Sequence, residues 1–578
     1  METKKDSAPQ DNRLSGGAFA PPLSRTEDAH GTSRAPAPSE SGYRRELGMN
    51  QIWQILNFAS KAGFLVLLTP LMMSRWGPEG YGLFALASSL LVSMAILDGG
   101  VRALTRIRMA SAWREGNEAE ARKAYAEGLW TFVLVCLVAV VVAAVLASTG
   151  WVDSVLRLPS TSGGEAIAAP AVTVVSPATP EATTDEGPLP LPMEPSHPHG
   201  ASGSCLSKVG HPESSGVLLI SLVCTCVLMI TLLGLEPLAA RGKLSALKAA
   251  NTWGALAAIP VCAALVLLGA SIGLVVFAYA TTLVIPNVVL AWQSGIFLLA
   301  PWRELPRFGP RVAFATLRDG FWYYMTTVSL VCKTHALTFL VSAMAGPAEA
   351  GLFYILLRLS EIVGNVGATA SETSLAALAS AENRVERHAC FRQSLQYVML
   401  FCGHGALVFV FLTGSLLSLW LPGSLHCPPG TGTALAAFGL AGAFSRVVIN
   451  ASMGLGFVSQ ASVAGIWEAV FGICCAVCGF RYFGLPGLFL GGAMGFVCLW
   501  SAAARVGEKC GDFTLWDCSE GLAELLTGFA AAGAILYASS LASSPLVWFA
   551  GLAACGGIVL FQIKRLHAHP SQSHSAHP

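Results

Sequence analysis

Apolar residues occupy most of this chain in runs that are long enough to cross a lipid bilayer as helices. A helix needs about 20 predominantly apolar residues to span the hydrocarbon core. Fourteen runs have about this length, near residues 52–73, 81–101, 126–148, 216–238, 251–269, 271–298, 320–345, 350–377, 395–420, 431–453, 461–480, 484–506, 521–541 and 544–563. The alternating pattern of transmembrane β-strands is absent from the sequence. The pattern therefore predicts an all-α integral membrane protein with about 14 transmembrane helices.

The Lys and Arg residues between these runs predict the orientation, because cytoplasmic loops carry an excess of both. They cluster in alternate connections, starting between spans two and three, and again in the C-terminal tail. The clustered residues are Arg102, Arg106, Arg108, Arg114, Arg122, Lys123, Arg241, Lys243, Lys248, Arg303, Arg307, Arg311, Arg318, Arg384, Arg387, Arg392, Arg505, Lys509, Lys564 and Arg565. The opposite side holds Arg75, Arg157, Lys208 and Arg481, and the connection between spans ten and eleven has no basic residue. We expect a multi-pass protein of the inner (cytoplasmic) membrane with both termini in the cytoplasm.

The composition excludes several classes of soluble protein. Charged residues make up 12% of the 578 residues, whereas soluble domains have about 25%. Hydrophobic residues make up 54%, and the mean hydropathy is +0.60. A chain with so few charges cannot cover its surface with polar groups in water, which excludes a soluble enzyme and a nucleic-acid-binding protein. The formal net charge of +1 likewise indicates no polyanionic partner.

An internal repeat divides the chain into two similar halves. The segment Gly77–Phe84 recurs as Gly346–Phe353 at an offset of 269 residues without a gap. A second match, at an offset of 214, relates Gly242, Ser245, Ala250, Trp253, Gly273 and Leu274 to Gly456, Ser459, Ala464, Trp467, Gly487 and Leu488. Repeats in the same orientation predict two six-helix lobes related by a pseudo-two-fold axis along the membrane normal, with the last two spans as an extra C-terminal helix pair.

The repeat and the composition together predict the domain organisation. The two offsets differ by 55 residues, which matches a Pro-rich, extracytoplasmic insert at 156–215. Residues 1–47 are rich in Pro, Ser, Gly and charge and are expected to form a disordered cytoplasmic tail. The predicted units that follow are an N-lobe at 48–298, a cytoplasmic connector at 299–319, a C-lobe at 320–506, and spans 13 and 14 with a cytoplasmic tail at 507–578.

Four basic residues lie inside the predicted spans, namely Lys61, Lys333, Arg358 and Arg446. A charge at membrane depth costs about 2.5–3.5 kcal/mol on insertion scales, so each should face protein or water. Helical spacing places polar residues on the same faces: Asn57 with Lys61; Thr326 and Ser329 with Lys333; Glu361, Asn365, Thr369 and Glu372 with Arg358; and Asn450 with Arg446. We predict substrate-binding roles for Arg358, Lys61, Lys333, Arg446, Asn57 and Asn365 in a cavity for a polar, anionic cargo. An ion pair between Arg358 and Glu361 that only joins helices is the alternative.

Intramembrane carboxylates are candidates for ion coupling or gating, because a carboxylate in a low-dielectric cavity can bind a proton or Na⁺. The candidates are Glu361, Glu372, Glu468 and Asp98. Asp98 and Glu236 lie at cytoplasmic span ends beside basic residues, where gate or surface ion pairs are expected. The intramembrane His335 and His404 are expected to be structural. No cofactor or metal is expected, because the sequence has no phosphate loop, nucleophile elbow or zinc spacing.

Short motifs recur in a fixed order along the chain, in segments 57–70, 75–84, 97–100, 351–354, 358–359, 419–421 and 483–487. Together they resemble the polysaccharide flippases of the O-antigen type in the MOP (multidrug/oligosaccharidyl-lipid/polysaccharide) exporter superfamily. The resemblance implies a fourteen-helix transporter with a central cavity that opens alternately to each side. It also implies undecaprenyl-pyrophosphate-linked oligosaccharides as substrates, and contacts with the bilayer and with other polysaccharide-assembly membrane proteins. The insert at 156–215 is longer than in that family, and His335 replaces an acidic residue often found in span seven.

Other functions make different demands on the sequence. A MATE-like exporter of small cationic molecules would prefer a cavity dominated by carboxylates. A membrane-bound glycan polymerase or acyltransferase needs clustered Arg and His on the extracytoplasmic side, where the long insert segment holds only Arg157 and Lys208 with three scattered His residues. A purely structural membrane scaffold would not need polar stripes on several helices. We therefore expect a transporter and not an enzyme.

Overall fold

The computed structural model describes residues 40–93, 100–149, 214–241, 243–294, 309–380, 383–421, 428–510, 522–542 and 544–568. Most of the predicted N-terminal tail and nearly all of the insert at 156–215 lie outside these residues. The predicted domain boundaries stay predictions.

Helices account for nearly all of the described residues, as the apolar runs predict. They are α1 (Glu40–Ser93), α2 (Val101–Arg114), α3 (Glu118–Ser148), α4 (Ser214–Gly234), α5 (Glu236–Ala240), α6 (Leu244–Leu267), α7 (Ile272–Gln293), α8 (Pro310–Val331), α9 (Leu337–Ala345), α10 (Pro347–Ser380), α11 (Arg384–Trp420), α12 (Thr431–Gly454), α13 (Val458–Met494), α14 (Trp500–Cys510), α15 (Leu522–Ser540) and α16 (Pro545–Ala568). A π-helical turn (Cys332–Ala336) joins α8 to α9, and a 3₁₀ turn (Gly495–Leu499) joins α13 to α14.

Where the structure describes them, the residues of all fourteen predicted spans are almost entirely helical. Spans one and two share α1, span seven runs through α8, the π-turn and α9, and spans eleven and twelve run from α13 through α14. Within the described ranges, nine helical segments are long and apolar enough to cross a membrane. The predicted all-α membrane fold is confirmed.

Glycines at equivalent positions of the repeat let the chain reverse between spans. Gly77, between spans one and two, has φ 72° and ψ 179°. Gly346, its repeat partner between spans seven and eight, has φ 96° and ψ 172°. A side chain is strained at such positive φ values, whereas glycine adopts them readily. The repeated sequence therefore produces the same backbone turn twice.

Two further glycines of the repeat, Gly82 and Gly351, lie against each other where the halves meet. A Cβ atom on Gly82 would lie 1.8 Å from the Pro347 carbonyl oxygen, and one on Gly351 would lie 3.1 Å from the Gly82 Cα. Equivalent residues that touch must lie beside the axis that relates them. The indole N–H of Trp420 also donates to the Val66 carbonyl across the halves at 2.7 Å. The predicted topology places these contacts near the outer side.

The halves also meet near the end of the bundle that the topology places inside. A Cβ on Gly100 would lie 2.3 Å from the Gly320 carbonyl oxygen, so the start of α2 runs closely past α8. Arg108 of α2 donates to Asp319 of α8 at 2.6 Å. Both side chains are partly exposed. The two halves therefore touch near both ends and leave space between them at mid-depth.

The C-terminal helix pair packs on α11 and away from this space. Leu412 of α11 forms an apolar cluster with Ala532 and Leu536 of α15 and Cys555 of α16. The His404 ring of α11 lies against that of Phe529 in a tilted arrangement with centroids 4.7 Å apart, and its Nδ1 lies 2.6 Å from the Leu400 carbonyl oxygen. These contacts are compatible with the structural role expected from sequence, which stays a prediction.

We predict that Gly82→Ala destabilises the protein by about 1–3 kcal/mol, because its methyl group would overlap backbone that has no room to move. The measurement is thermal unfolding in detergent. Gly414→Ala is the matched control, since Gly414 lies in α11 and a Cβ atom added there would meet no heavy atom within 4 Å. That control should leave stability unchanged or raise it by up to about 1 kcal/mol. Equal unfolding temperatures for the two variants would contradict the close contact.

Candidate functional site

A cavity of about 510 Å³ lies between the two halves. Helices α1, α4, α6 and α7 of the first half form its walls together with α8, α10, α12 and the π-turn of the second. Its polar lining consists of Asn57, Lys61, Thr69, Ser88, Asn251, Thr327, Thr334, His335, Arg358, Glu361, Asn365 and Arg446, with Tyr81, Tyr279 and Tyr354. Five of the six predicted substrate-binding residues therefore line one cavity, although their role in binding stays a prediction.

Arg358 and Glu361 form an ion pair on the wall of this cavity. They stand one turn apart on α10, and the Arg358 Nη1 donates to Glu361 Oε2 at 2.6 Å. The guanidinium also lies over the Tyr354 ring, 4.7 Å from its centroid. The pair that the sequence left as an alternative is thus present, and both of its members still line the cavity. Pairing and cargo binding are compatible, because a guanidinium has five N–H donors.

Lys61 of α1 contributes a cation that makes no ion pair within the described part of the chain. Its side chain is exposed and lines the cavity. One helical turn earlier, Asn57 also lines the cavity, and its Oδ1 is buried without a hydrogen-bond partner among the described residues. The first half therefore presents the side chains of Lys61 and Asn57 to the same space.

Arg446 of α12 reaches the cavity from the second half. Its Nη1 donates to the Asn365 Oδ1 of α10 at 2.9 Å. This hydrogen bond links α12 to α10 across the cavity wall and orients the guanidinium. The predicted polar stripe of α10 therefore continues onto α12.

Lys333 is the predicted binding residue that does not line the cavity. Its ammonium donates to the Glu468 Oε1 of α13, and the Ser445 hydroxyl of α12 donates to the other carboxylate oxygen at 2.7 Å. Lys333 and Glu468 are both almost fully buried. This triad joins span seven to spans ten and eleven, and it satisfies both charges inside the second half.

The other residues of the predicted polar face of span seven, Thr326 and Ser329, contact α13 as Lys333 does. The Thr326 hydroxyl lies 2.7 Å from that of Ser462. A Cβ atom on Gly465 would lie 2.7 Å from the Ser329 hydroxyl oxygen, so glycine lets the two helices approach. Helical spacing identified residues that share a face, but it could not tell which neighbour that face contacts.

His335 is a cavity residue that the sequence interpretation treated only as structural. It lies on the π-turn, whose extra residue per turn changes which side chains face inward. Its Nε2 lies 3.9 Å from Glu361 Oε1, and its Nδ1 is buried without a partner. Standard helical spacing does not reveal a π-turn, so the sequence carried no signal for this placement.

The remaining carboxylate candidates lie elsewhere. Asp98 is outside the described residues, and so is the side chain of Glu372. Glu236 is completely buried at the start of α5, where it accepts from Arg102 at 2.9 Å and from Arg106 at 2.6 Å. This pairing stays within the first half. Among the described residues, the ion pair that crosses between the halves is the one from Arg108 to Asp319, which the sequence did not single out.

Comparison with solved structures assigns the fold. The chain matches the inward-facing conformation of a multidrug resistance MATE family transporter of the MOP superfamily with a TM-score of 0.55 and 13% identity, covering 81% of this chain and 98% of that one. It matches the lipid II flippase MurJ, in an inward closed conformation, with a TM-score of 0.58 and 12% identity over 89% and 99% of the chains. The MATE multidrug transporter DinF-BH gives a TM-score of 0.54 and 13% identity over 84% and 100%. This protein has the fold of MOP superfamily transporters.

The resemblance seen in the motifs is therefore supported for the fold. No protein-family model matches the sequence, and no curated protein matches it. The MOP fold is shared by exporters of drugs and by a lipid flippase, so the charges and shape of the cavity must be used to choose a cargo.

We predict that the Lys333–Glu468 pair is structural. Lys333→Met should destabilise the protein by about 3–5 kcal/mol, because it leaves the Glu468 carboxylate buried without a counter-charge. The double variant Lys333→Met, Glu468→Gln should recover most of this loss. Thermal unfolding and membrane yield measure both effects.

The partly exposed pair of Arg108 and Asp319 supplies the matched control for this experiment. Asp319→Asn should cost about 1 kcal/mol or less. The buried triad would be refuted as a stabilising element if Lys333→Met cost no more than this control.

Proposed function

We propose that this protein is a flippase that moves undecaprenyl-pyrophosphate-linked oligosaccharide, a repeat unit of a surface polysaccharide, across the cytoplasmic membrane by alternating access. The observation that carries the proposal is the charge of the cavity. Three cationic side chains line it, Lys61, Arg358 and Arg446, against the single carboxylate of Glu361 among the described lining residues. Glu361 already pairs with Arg358, and Lys61 adds a cation that makes no ion pair among the described residues, so positive charge faces the cargo.

The chemistry of a pyrophosphate-linked glycan fits this lining. Its pyrophosphate carries about two negative charges, which a guanidinium can hold through two parallel hydrogen bonds and an ammonium can attract as a point charge. The sugar hydroxyls can exchange hydrogen bonds with the amide and hydroxyl side chains of the lining, among them Asn251, Thr327 and Thr334.

The size of the cavity suggests how such a cargo is held. Pockets for small ligands have volumes of about 300–1,000 Å³, and this cavity of about 510 Å³ lies within that range. It can hold the pyrophosphate and the first sugars but not the polyprenyl chain. We infer that the apolar tail remains in the bilayer while the polar head crosses through the protein.

Export of small cationic molecules is the second candidate, because two of the matched structures are multidrug transporters by name. A cationic drug would have to enter a space lined by three cations. The lining carboxylate that could receive it is held by Arg358 at 2.6 Å. The electrostatics therefore favour the anionic cargo within the same fold.

The membrane potential supplies a source of energy for an anionic cargo. Moving one charge through the potential is worth about 2.3 kcal/mol per 100 mV, so about two negative charges moving outward from a negative interior gain roughly 5 kcal/mol per 100 mV. The carboxylates of Glu361 and Glu468 both have cationic partners, so H⁺ or Na⁺ would have to compete with an Arg or a Lys. Coupling to either ion stays a prediction, and we propose the potential as the main driving force.

We predict that Arg358→Ala weakens binding of undecaprenyl pyrophosphate more than about tenfold, as expected for a lost charge-assisted hydrogen bond. Arg358→Lys should keep part of the affinity, because the charge remains and the forked geometry is lost. Native mass spectrometry of the purified full chain measures the affinity. Arg311→Ala is the control, since Arg311 is exposed and does not line the cavity.

Two outcomes of this experiment would oppose the proposal. Restored binding in the double variant Arg358→Ala, Glu361→Ala would show that Arg358 only neutralises Glu361. Tighter binding of a cationic rhodamine dye than of undecaprenyl pyrophosphate would favour a drug exporter. Undecaprenol, which lacks the charged group, reports the contribution of the tail.

We also predict that a potential negative on the cytoplasmic face accelerates transport in proteoliposomes. The substrate is a fluorescent polyprenyl-pyrophosphate glycan, and a membrane-impermeant quencher reads the fraction on each face. A potassium gradient with valinomycin sets the potential at equal pH and sodium on both sides. If the transport rate does not depend on the potential and responds only to a pH or sodium gradient, ion coupling and not the membrane potential is the driving force.

A further inference from the structure

A second cavity, of about 590 Å³, lies on the flank of the second half and shares no lining residue with the central cavity. Helices α8, α13 and α14 form it together with the 3₁₀ turn. Its lining residues are Trp322, Ser459, Gln460, Val463, Ala464, Trp467, Phe471, Cys498, Ser501, Ala502 and Arg505. We call it the flank groove.

The flank groove changes from polar to apolar along its length. Its polar residues, Ser459, Gln460, Ser501 and Arg505, lie near the beginning of α13 and within α14. The predicted topology places this end at the cytoplasmic surface. Phe471 lies 12 residues after Ser459 along α13, and at about 1.5 Å per residue this places it about 18 Å deeper in the membrane. One end therefore lies at the depth of lipid headgroups and the other within the hydrocarbon core.

The polar end carries a cation that makes no ion pair with any described residue. Arg505 is exposed, and the described lining residues of the groove include no carboxylate. An anionic phosphate would complement the Arg505 guanidinium, and the polar side chains of Ser459, Gln460 and Ser501 lie in the same part of the lining.

The apolar end presents aromatic surface that the protein leaves uncovered. Trp467 is 62% exposed, Phe471 is 42% exposed and Trp322 is 41% exposed. In a membrane these faces contact lipid, and the concave shape confines an acyl chain more than a flat helix surface does. The charge at one end and the aromatic surface at the other together match an amphiphile with an anionic head.

We propose that the flank groove binds one anionic glycerophospholipid of the cytoplasmic leaflet, with its phosphate on Arg505 and an acyl chain along Trp467 and Phe471. Phosphatidylglycerol has the required chemistry, because it combines one negative charge with headgroup hydroxyls. Such a lipid would bridge α8 to α13 and α14. It would thus link span seven to span eleven, which the buried Lys333–Glu468 pair also joins. The inference does not depend on the cargo of the central cavity.

The test measures lipid binding to the purified, delipidated full chain by native mass spectrometry. Phosphatidylglycerol and phosphatidylcholine with the same acyl chains are titrated separately. We expect one phosphatidylglycerol to bind at least about tenfold more tightly than phosphatidylcholine. Arg505→Gln should abolish this preference, whereas the matched control Arg311→Gln should keep it, because Arg311 is an exposed arginine at the start of α8 outside the groove.

A second pair of variants tests the apolar end. Trp467→Ala should weaken both lipids by a similar factor, while Trp292→Ala, which removes an exposed tryptophan of α7 outside the groove, should leave both unchanged. The proposal is overturned if the wild-type protein does not prefer phosphatidylglycerol, or if Arg311→Gln lowers the preference as much as Arg505→Gln. Binding of inorganic phosphate that competes fully with phosphatidylglycerol would overturn the lipid assignment. Arg358→Ala should not affect this site, so failure here is distinguishable from failure of the proposed cargo.

Discussion

The cost of placing a cation at membrane depth governs the interior of this protein. Each intramembrane cation needs a counter-charge or access to a polar space, since an isolated charge in the hydrocarbon is costly. Lys333 meets this requirement with Glu468 in a buried pair, whereas Lys61 meets it by lining the cavity. The two lysines look alike in sequence, yet one joins helices of one half and the other faces the space between halves. Arg358 does both, because it pairs with Glu361 and lines the cavity.

The arrangement of the halves depends on the absence of side chains at a few positions. Gly82 and Gly351 allow backbone to touch backbone beside the pseudo-two-fold axis, and Gly100 allows the same approach to α8 at the opposite end. The central cavity lies between these two regions of contact, which the proposed alternating access would open in turn.

Fold likeness at 12–13% identity does not specify cargo. The proposal of an anionic cargo therefore rests on the cavity lining, where the described residues include three cations and one carboxylate that is paired with Arg358. The proposed lipid site at the membrane surface rests on the same kind of charge complementarity, because Arg505 lies at the end of a groove with exposed aromatic side chains.

The helical spans, the repeat and the residues that share each helix face could be predicted from the sequence, because hydrophobic length and helical period are local properties of the chain. These patterns identified five residues of the cavity, namely Asn57, Lys61, Arg358, Asn365 and Arg446. The contact of Lys333 with α13 and the position of His335 in the cavity became evident in the folded chain alone. A helical pattern shows which residues share a face but not which helix packs against that face, and the π-turn shifts the register in a way that standard helical spacing does not reveal.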